Sequence, residues 1–243
     1  MRIAILSDIH SNIEALTAVL DYCRFNRIHK YVCLGDVVGY GAEPNRCCEL
    51  IREVCSATLL GNHDAAVAGM MDTEYYYLAA KQALYWTREQ LSEENFRWLY
   101  SLPYTHELDN LGFYHSAPIV PSRFFYVVRQ EDAQAHLKVF DRLSEFNFVG
   151  HSHLTNQYLL GPRKVRDATG KPVEYQHDKK WIINVGSVGQ PRDRDNRACF
   201  GIFDTEKQSF EHVRIDYDID SSAKKILQAG LNERFAKRLY VGL

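Results

Sequence analysis

Polar side chains that can bind a metal ion follow five apolar runs of this 243-residue chain. Each run leads into residues that offer an imidazole nitrogen, a carboxylate oxygen or an amide oxygen. They are Asp8 and His10 after RIAIL, Asp36 after YVCLG, Asn62 after ATLLG, His115 after GFY, and His151 and His153 after NFVG. Because ligand sites in open α/β sheets form just beyond the carboxyl ends of strands, we expect these side chains to meet in one crevice.

The donor set indicates which metals would bind. It combines histidine nitrogens with carboxylate and amide oxygens and contains no thiolate, which favours Mn, Fe or Zn over Ca or Mg. Seven candidates exceed the needs of one ion but would serve two ions about 3.5 to 4 Å apart that share a carboxylate. Asp36 is the expected bridge because it stands alone after its strand. The expected cofactors are therefore two divalent or transition metal ions.

The same residues lie in motifs of a known family, which extend over residues 8–193. The motifs are Asp8-Ile9-His10, Gly35-Asp36, Gly61-Asn62-His63-Asp64, His115 and Gly150-His151-Ser152-His153. In this order they resemble the motif set of the calcineurin-like metallophosphoesterase superfamily. The strings GDVVGYG and NVGSVGQPRD resemble its branch of small prokaryotic phosphodiesterases.

This resemblance implies a fold and a metal centre. The fold class would be α/β, a four-layer α/β/β/α sandwich of two mixed sheets flanked by helices, and we expect residues 1–243 to form a single domain. One ion would be held by Asp8, His10, Asp36 and His153, and the other by Asp36, Asn62, His115 and His151.

The resemblance also implies a reaction, the metal-dependent hydrolysis of a phosphoric ester. A hydroxide that bridges the two ions would attack phosphorus in line, since metal ions lower the pKa of bound water from about 15.7 toward 7. His63, which is not a ligand in the family pattern, would be the general acid for the leaving group.

Two positions depart from the protein Ser/Thr phosphatases of the superfamily. Those enzymes carry Asp and Arg in a G-D-x-x-D-R-G motif, whereas this chain has Gly39 and Tyr40 at the two places. The usual partner of the catalytic histidine and a phosphate clamp are therefore missing. We accordingly expect a phosphodiesterase for a small substrate, such as a nucleotide-derived or lipid-headgroup diester. The alternatives are a phosphomonoesterase and a non-catalytic scaffold, a role for which the retromer scaffold subunit reuses this fold.

Substrate-binding residues are indicated by charge and aromaticity. Arg192 follows the GSVGQP string near the family's metal centre, where its guanidinium could grip phosphate by two hydrogen bonds, and Arg123 is a second candidate. Tyrosines 75–77 could stack on a nucleobase, although an aromatic cluster at the start of a helix more often packs within the protein.

The composition of the chain indicates which binding partners and which cellular compartment to expect. A net charge of −2 and a pI near 6.5 argue against binding long nucleic acid, whereas a small phosphorylated substrate remains compatible. The six cysteines contain no C-x-x-C pair and MRIAILSD has no signal-peptide pattern, so we expect reduced thiols and a cytoplasmic protein. No apolar run reaches the roughly 18 residues of a membrane span. The sequence does not indicate an oligomeric state.

Hydrophobic periodicity predicts the elements that position the site. Strands are expected at 2–6, 31–34, 57–60, 112–114, 147–149, 181–185, 199–203 and 210–215. Ser11 and Glu14 have capping-box spacing before an amphipathic helix. Further helices are expected at 73–91, after Ser92, and as one or two helices at 221–239. Residues 161–180 are expected to form an exposed hairpin or loop.

Overall fold

Two mixed β-sheets account for twelve strands in the part of the chain that the structure, a computed structural model, describes: residues 1–74 and 76–243. The first sheet has the order β3-β2-β1-β11-β12-β9 and the second has the order β4-β5-β6-β10-β7-β8. The strands are β1 (Arg2–Leu6), β2 (Lys30–Cys33), β3 (Ala57–Thr58), β4 (Thr105–Leu108), β5 (Leu111–Tyr114), β6 (Phe146–Val149), β7 (Gln157–Gly161), β8 (Lys164–Asp167), β9 (Val173–Glu174), β10 (Lys180–Asn184), β11 (Ala198–Asp204) and β12 (Ser209–Ile215).

Parallel pairing involves the five strands that lead toward the predicted ligands, and also β10. In the first sheet β1 pairs parallel with β2, and β2 with β3. In the second sheet β6 pairs parallel with β5 and with β10. The other pairs in both sheets are antiparallel among the residues described. Each sheet is therefore mixed, as the resemblance implies.

Helices cover the outer faces of the two sheets. They are α1 (Ile13–Phe25), α2 (Pro44–Val54), α3 (Asn62–Val67), α4 (Leu78–Gln90), α5 (Glu93–Tyr100), α6 (Gln130–Gln134), α7 (Ile219–Gln228) and α8 (Glu233–Leu239). Short 3₁₀ helices lie at Pro121–Arg123 and Ala135–Arg142. No helix in residues 1–74 and 76–243 combines the length and apolarity needed to cross a membrane.

The side chains of β1 show how the layers form. Ile3 and Ile5 point between the two sheets and join a cluster that contains Phe148 and Phe203. Ala4 and Leu6 point to the opposite face and pack in the cluster that contains α1. This alternation follows from the two-residue period of a strand. A further cluster joins α6 to the outer face of the second sheet, so the α/β/β/α sandwich expected from the resemblance is confirmed.

Most of the predicted elements are present, with some corrections. The capping box predicted at Ser11 is wrong: Asn12 caps α1, and its side chain accepts from the N–H of Ala15 at 3.1 Å. Ser11 has a left-handed φ of 55° and belongs to the turn after β1. The helix predicted from residue 73 begins at Leu78. Residues 161–180 contain β8, which forms a hairpin with β7, and β9, which lies at the edge of the other sheet.

Candidate metal centre and active site

All seven side chains predicted as metal ligands come together beyond the carboxyl ends of β1, β2, β3, β5 and β6. Each of the seven residues is at most 7% exposed. Ionisable groups are rarely buried so completely unless they are paired or hold a metal. We therefore expect these buried side chains to be paired with one another or with a metal ion.

Asp8, His10 and His153 form the first group, in which one ligand atom of each residue lies within 4.8 Å of the other two. The Nε2 atoms of His10 and His153 are 3.1 Å apart. Oδ1 of Asp8 lies 3.3 Å from Nε2 of His153. This oxygen is buried and has no hydrogen-bond partner among the described residues, so it is free to bind a cation.

Asp36 links this group to a second one. Its Oδ2 lies 3.7 Å from Nε2 of His10 and 3.5 Å from Nε2 of His115. Ligand atoms of Asp36, His115 and His151 are again within 4.8 Å of one another. Oδ1 of Asn62 lies 3.1 Å from Nε2 of His115. Asp36 thus lies between the two groups, where a bridging carboxylate would lie.

The hydrogen bonds of the histidines show that the cluster fits metal ions. In three rings Nδ1 donates to a backbone carbonyl oxygen: His10 to Val38, His115 to Leu34, and His153 to Gln190. This tautomer leaves a lone pair on each Nε2, which faces the cluster. Two such lone pairs 3.1 Å apart, those of His10 and His153, repel each other unless a cation lies between them. A divalent ion would satisfy both.

Burial sets the protonation states of the cluster. It raises the pKa of Asp36 well above its ordinary value, and the charges of Asp64 and Asp8 add to this effect. Burial alone would raise the pKa of Asp8 too, but the neighbouring histidines, His153 foremost, hold it below its ordinary value. Burial lowers the pKa of His115 to about 4. The imidazole of His115 is therefore neutral near pH 7, which is the form that binds metals.

Backbone strain is concentrated at the same residues. Five of the seven have φ in the left-handed region, which residues other than glycine rarely adopt: Asp8 (54°), His10 (49°), Asp36 (52°), His151 (67°) and His153 (60°). Each such residue costs on the order of 1 kcal/mol or more. Strain at a cluster of ionisable side chains is typical of functional sites.

Backbone N–H groups fix one oxygen of each aspartate. Oδ2 of Asp8 accepts from the N–H of His151 at 2.9 Å, and Oδ1 of Asp36 accepts from the N–H of His63 at 2.8 Å. The other oxygen of each carboxylate faces the histidines. The two carboxylates are therefore already oriented within the protein.

His63 lies beside the cluster, at the start of α3, and is 4% exposed. Its Nδ1 has no hydrogen-bond partner among the described residues. The ring packs instead against Tyr40 and His10, with centroids 4.4 Å and 4.8 Å away. Gly39 allows this position, because a Cβ there would lie 2.5 Å from Nδ1 of His63. Gly39 thus leaves room for the ring of His63, and Tyr40 packs against it. The phosphatases have Asp and Arg at these two positions.

His63 also lies close enough to the cluster to offer a ligand atom. Atoms of His10, Asp36 and His63 lie within 4.8 Å of one another. The sequence did not predict this grouping. Measuring the metal content of a His63 variant would therefore test whether His63 is a ligand.

Asp64 has a structural role that sequence reasoning missed. Its buried carboxylate accepts from the N–H groups of Val37 at 3.3 Å, Val38 at 3.1 Å and Gly61 at 3.1 Å. These bonds tie the loop after β2 to the start of α3. An acidic residue three positions after an N-cap is the capping-box signal, so the spacing from Gly61 to Asp64 could have identified it.

A cavity of about 310 Å³ reaches part of the cluster. Both arginines predicted to bind phosphate, Arg123 and Arg192, line it together with Asp36 and His63. The other lining residues are mostly aromatic or apolar and include Tyr40, Met71, Tyr76, Tyr77, Phe124 and Tyr126. Small anionic esters with an apolar part match such a lining.

Two of the tyrosines predicted as possible stacking residues, Tyr76 and Tyr77, lie in this cavity wall, and Tyr75 lies outside the described residues. The hydroxyl of Tyr76 accepts from Nδ2 of Asn62 at 2.6 Å, which orients the amide. Tyr126, which no pattern in the sequence singled out, stacks on His151 with ring centroids 3.9 Å apart.

Comparison with known proteins agrees with this geometry. Residues 1–208 match the family model of the calcineurin-like phosphoesterase superfamily domain. The chain is 38% identical over 250 residues to an uncharacterized protein of Methanocaldococcus jannaschii, covering 99% of this chain and 98% of that protein.

Two solved structures are similar along the whole chain. One is a metallophosphoesterase from Sphaerobacter thermophilus, with a TM-score of 0.85 and 33% identity over 100% of this chain and 99% of the other. A hypothetical protein from Pyrococcus horikoshii OT3 has the same fold, with a TM-score of 0.80 and 21% identity over 100% and 98% of the two chains. The family match and the Sphaerobacter relative together show that this protein belongs to the calcineurin-like phosphoesterase superfamily.

Proposed function

We propose that this protein is a metal-dependent phosphodiesterase that hydrolyses a small phosphodiester. The observation that carries the proposal is the pair of buried His/Asp groups that meet at Asp36, beside a cavity lined by His63. Membership of a phosphoesterase family supports the class of reaction. The diester preference is inferred from the residues around His63.

The proposed ligands divide between two ions. Asp8, His10, Asp36 and His153 would hold one, and Asp36, Asn62, His115 and His151 the other. The nitrogen and oxygen donors suit Mn, Fe or Zn. Such ions, when bound, supply Lewis acidity toward phosphoryl oxygens and lower the pKa of water to about 7.

His63 is proposed to donate a proton to the leaving oxygen. In the free protein, burial followed by the charge of Arg192 lowers the pKa of His63 well below its ordinary value. A negatively charged ester in the cavity would act in the opposite direction, because a nearby negative charge favours the imidazolium. Substrate binding would therefore help to load the proton that the leaving group needs.

The residues around His63 favour a diester over a monoester. Tyr40 lies where the phosphatases have an arginine, so one phosphate clamp is missing. Among the residues lining the cavity, Arg123 and Arg192 carry the positive charges. A diester phosphate has one negative charge, whereas a monoester near neutral pH has up to two. The smaller charge requires fewer cationic contacts.

The test is metal analysis followed by kinetics. The chain is reconstituted with Mn, its metal content is measured, and initial rates are compared for bis(4-nitrophenyl) phosphate and 4-nitrophenyl phosphate. We expect about two ions per chain and a higher kcat/KM for the diester. A higher kcat/KM for the monoester would contradict the diester assignment. Less than one ion per chain, or inactivity on both esters, would favour a scaffold.

The role of His63 is tested by His63→Ala. Loss of a general acid is expected to reduce kcat by about 10² to 10⁴ while about two ions per chain remain. His177→Ala is the control, since the side chain of His177 is 83% exposed, and it should leave both quantities unchanged. Loss of metal from His63→Ala would identify His63 as a ligand.

A further inference from the structure

We propose that Arg192 and Arg238 form a second anion subsite at the edge of the cavity, so that the preferred substrate carries an additional oxyanion, a phosphate or a carboxylate, beside the ester that is cleaved. This inference rests on the proposed function, which places the reacting phosphate at the His/Asp cluster. It concerns the rest of the substrate.

A single glutamine side chain brings the two guanidinium groups together. Oε1 of Gln190 accepts from Nη2 of Arg192 at 2.9 Å and from Nη1 of Arg238 at 3.1 Å. Both guanidiniums therefore lie within one hydrogen bond of the same oxygen atom. Guanidinium groups bind carboxylate and phosphate through paired hydrogen bonds.

The subsite would lie directly beside the cluster. The backbone carbonyl of Gln190 accepts from Nδ1 of His153 at 2.5 Å, and the N–H of Arg192 donates to the carbonyl of His153 at 3.2 Å. The guanidinium of Arg192 also lies over the ring of Tyr40, 5.7 Å from its centroid. A group attached to a phosphate at the cluster could therefore reach Arg192 within the same cavity.

The guanidinium groups of this pair form no ion pair within the described residues. Among the described residues no carboxylate forms an ion pair with Arg192 or Arg238, and the nearby Asp193 pairs with Arg214. Nε of Arg192 is buried and has no hydrogen-bond partner in the same part of the chain. Burial, with the charge of Arg192 added, lowers the pKa of Arg238. The two positively charged guanidinium groups repel each other. A bound oxyanion would offset this repulsion and would accept hydrogen bonds from both groups.

Arg238 belongs to α8, which lies outside the residues matched by the family model, 1–208. The C-terminal segment is nevertheless held against the site. Phe235 packs on Tyr40 with ring centroids 4.9 Å apart, and the N–H of Arg194 donates to the carbonyl of Gly242 at 2.9 Å. The subsite would therefore be a feature added to the family domain by this C-terminal helix.

The test compares ligands that differ by one anionic group. Calorimetric titrations of the Mn-loaded full chain use propylphosphonate, 3-phosphonopropionate and propane-1,3-bisphosphonate. We expect at least one of the two doubly anionic ligands to bind about tenfold more tightly than propylphosphonate, the effect of one charge-assisted hydrogen bond. The tighter of the two identifies the preferred oxyanion.

Variants assign the effect to the arginine pair. Arg238→Gln should remove most of this affinity ratio, whereas Arg234→Gln, an exposed arginine of the same helix, should retain it. Equal binding of all three ligands by the unmodified chain would overturn the subsite but leave the proposed function in place. Failure of the unmodified chain to bind any of the three ligands would also overturn the subsite, whereas the proposed function is overturned only by inactivity toward both nitrophenyl esters. A ratio unaffected by Arg238→Gln would also overturn the subsite.

Discussion

At Gly39, the absence of a side chain determines where the imidazole of His63 can lie. The residue has a φ of 94°, and a Cβ would lie 2.5 Å from Nδ1 of His63. No carboxylate bonds to this nitrogen among the described residues. His63 is oriented by the space that Gly39 leaves and by the ring of Tyr40. A single added methyl group should therefore affect the reaction.

We expect Gly39→Ala to lower kcat by tenfold or more, on the order of what a displaced general acid costs. Gly170→Ala is the matched control, since Gly170 has a φ of 74° and a Cβ there meets nothing within 4 Å. Gly170→Ala should lose about 1 kcal/mol of unfolding free energy through left-handed strain, and Gly39→Ala should lose more, because its Cβ also displaces the buried ring of His63. Denaturant unfolding and steady-state rates measure the two effects, and an unchanged kcat in Gly39→Ala would contradict this role.

At the scale of elements, the start of α3 is joined to the loop after β2 by Asp64. A comparable arrangement begins α6, where Asp132 accepts from the N–H groups of Val128 at 3.0 Å and Arg129 at 2.9 Å. Asp132 does not line the cavity. The two aspartates therefore allow a structural effect to be separated from a functional one.

We expect Asp64→Asn and Asp132→Asn each to lower the free energy of unfolding by about 1 to 3 kcal/mol, because backbone donors lose a charged acceptor. Only Asp64→Asn should also weaken metal binding, since the loop it holds carries Asp36. Chemical denaturation and metal titration make the comparison. Equal metal affinity in the two variants would show that Asp64 does not position the proposed bridge.

At the scale of the whole molecule, the two sheets meet through a shared apolar layer, and residues from both sheets build the cluster. Asp36 follows a strand of the first sheet, and His115 follows a strand of the second. A bound ion would therefore connect the sheets and stabilise the folded state, because unfolding separates its ligands.

We expect Mn to raise the melting temperature, with a stabilisation of about 2.7 kcal/mol at a free concentration one hundred times Kd. Because burial raises the pKa of Asp36 well above its ordinary value, protons compete with Mn for this carboxylate, so the stabilisation should decrease as the pH falls through that raised pKa and further as it falls toward the pKa of His115, which burial lowers to about 4. Thermal unfolding with Mn and with EDTA measures it. Asp36→Asn should reduce the shift, and a full shift in that variant would argue against a bridging role.

The sequence is most informative for elements that have a strong local hydrophobic pattern. Strands β1 and β11 were predicted within one residue at each end because their apolar runs are long and bounded. Strand β4 was missed, since THEL is short, half exposed and carries little apolar periodicity. The spacing from Ser11 to Glu14 fits a capping box, but Ser11 belongs to the turn that brings His10 into the cluster, and Asn12 caps α1 instead.

The types of the candidate ligands can be inferred without a structure, as can their positions after apolar runs and the family they indicate, because these features are encoded in short contiguous segments. Only the folded chain shows that Gly39 makes room for His63, that Tyr126 stacks on His151 and that Arg238 shares an acceptor with Arg192. Gly39 and His63, like Arg192 and Arg238, lie far apart along the chain. Their contacts depend on how the helices and sheets pack, which local periodicity does not specify.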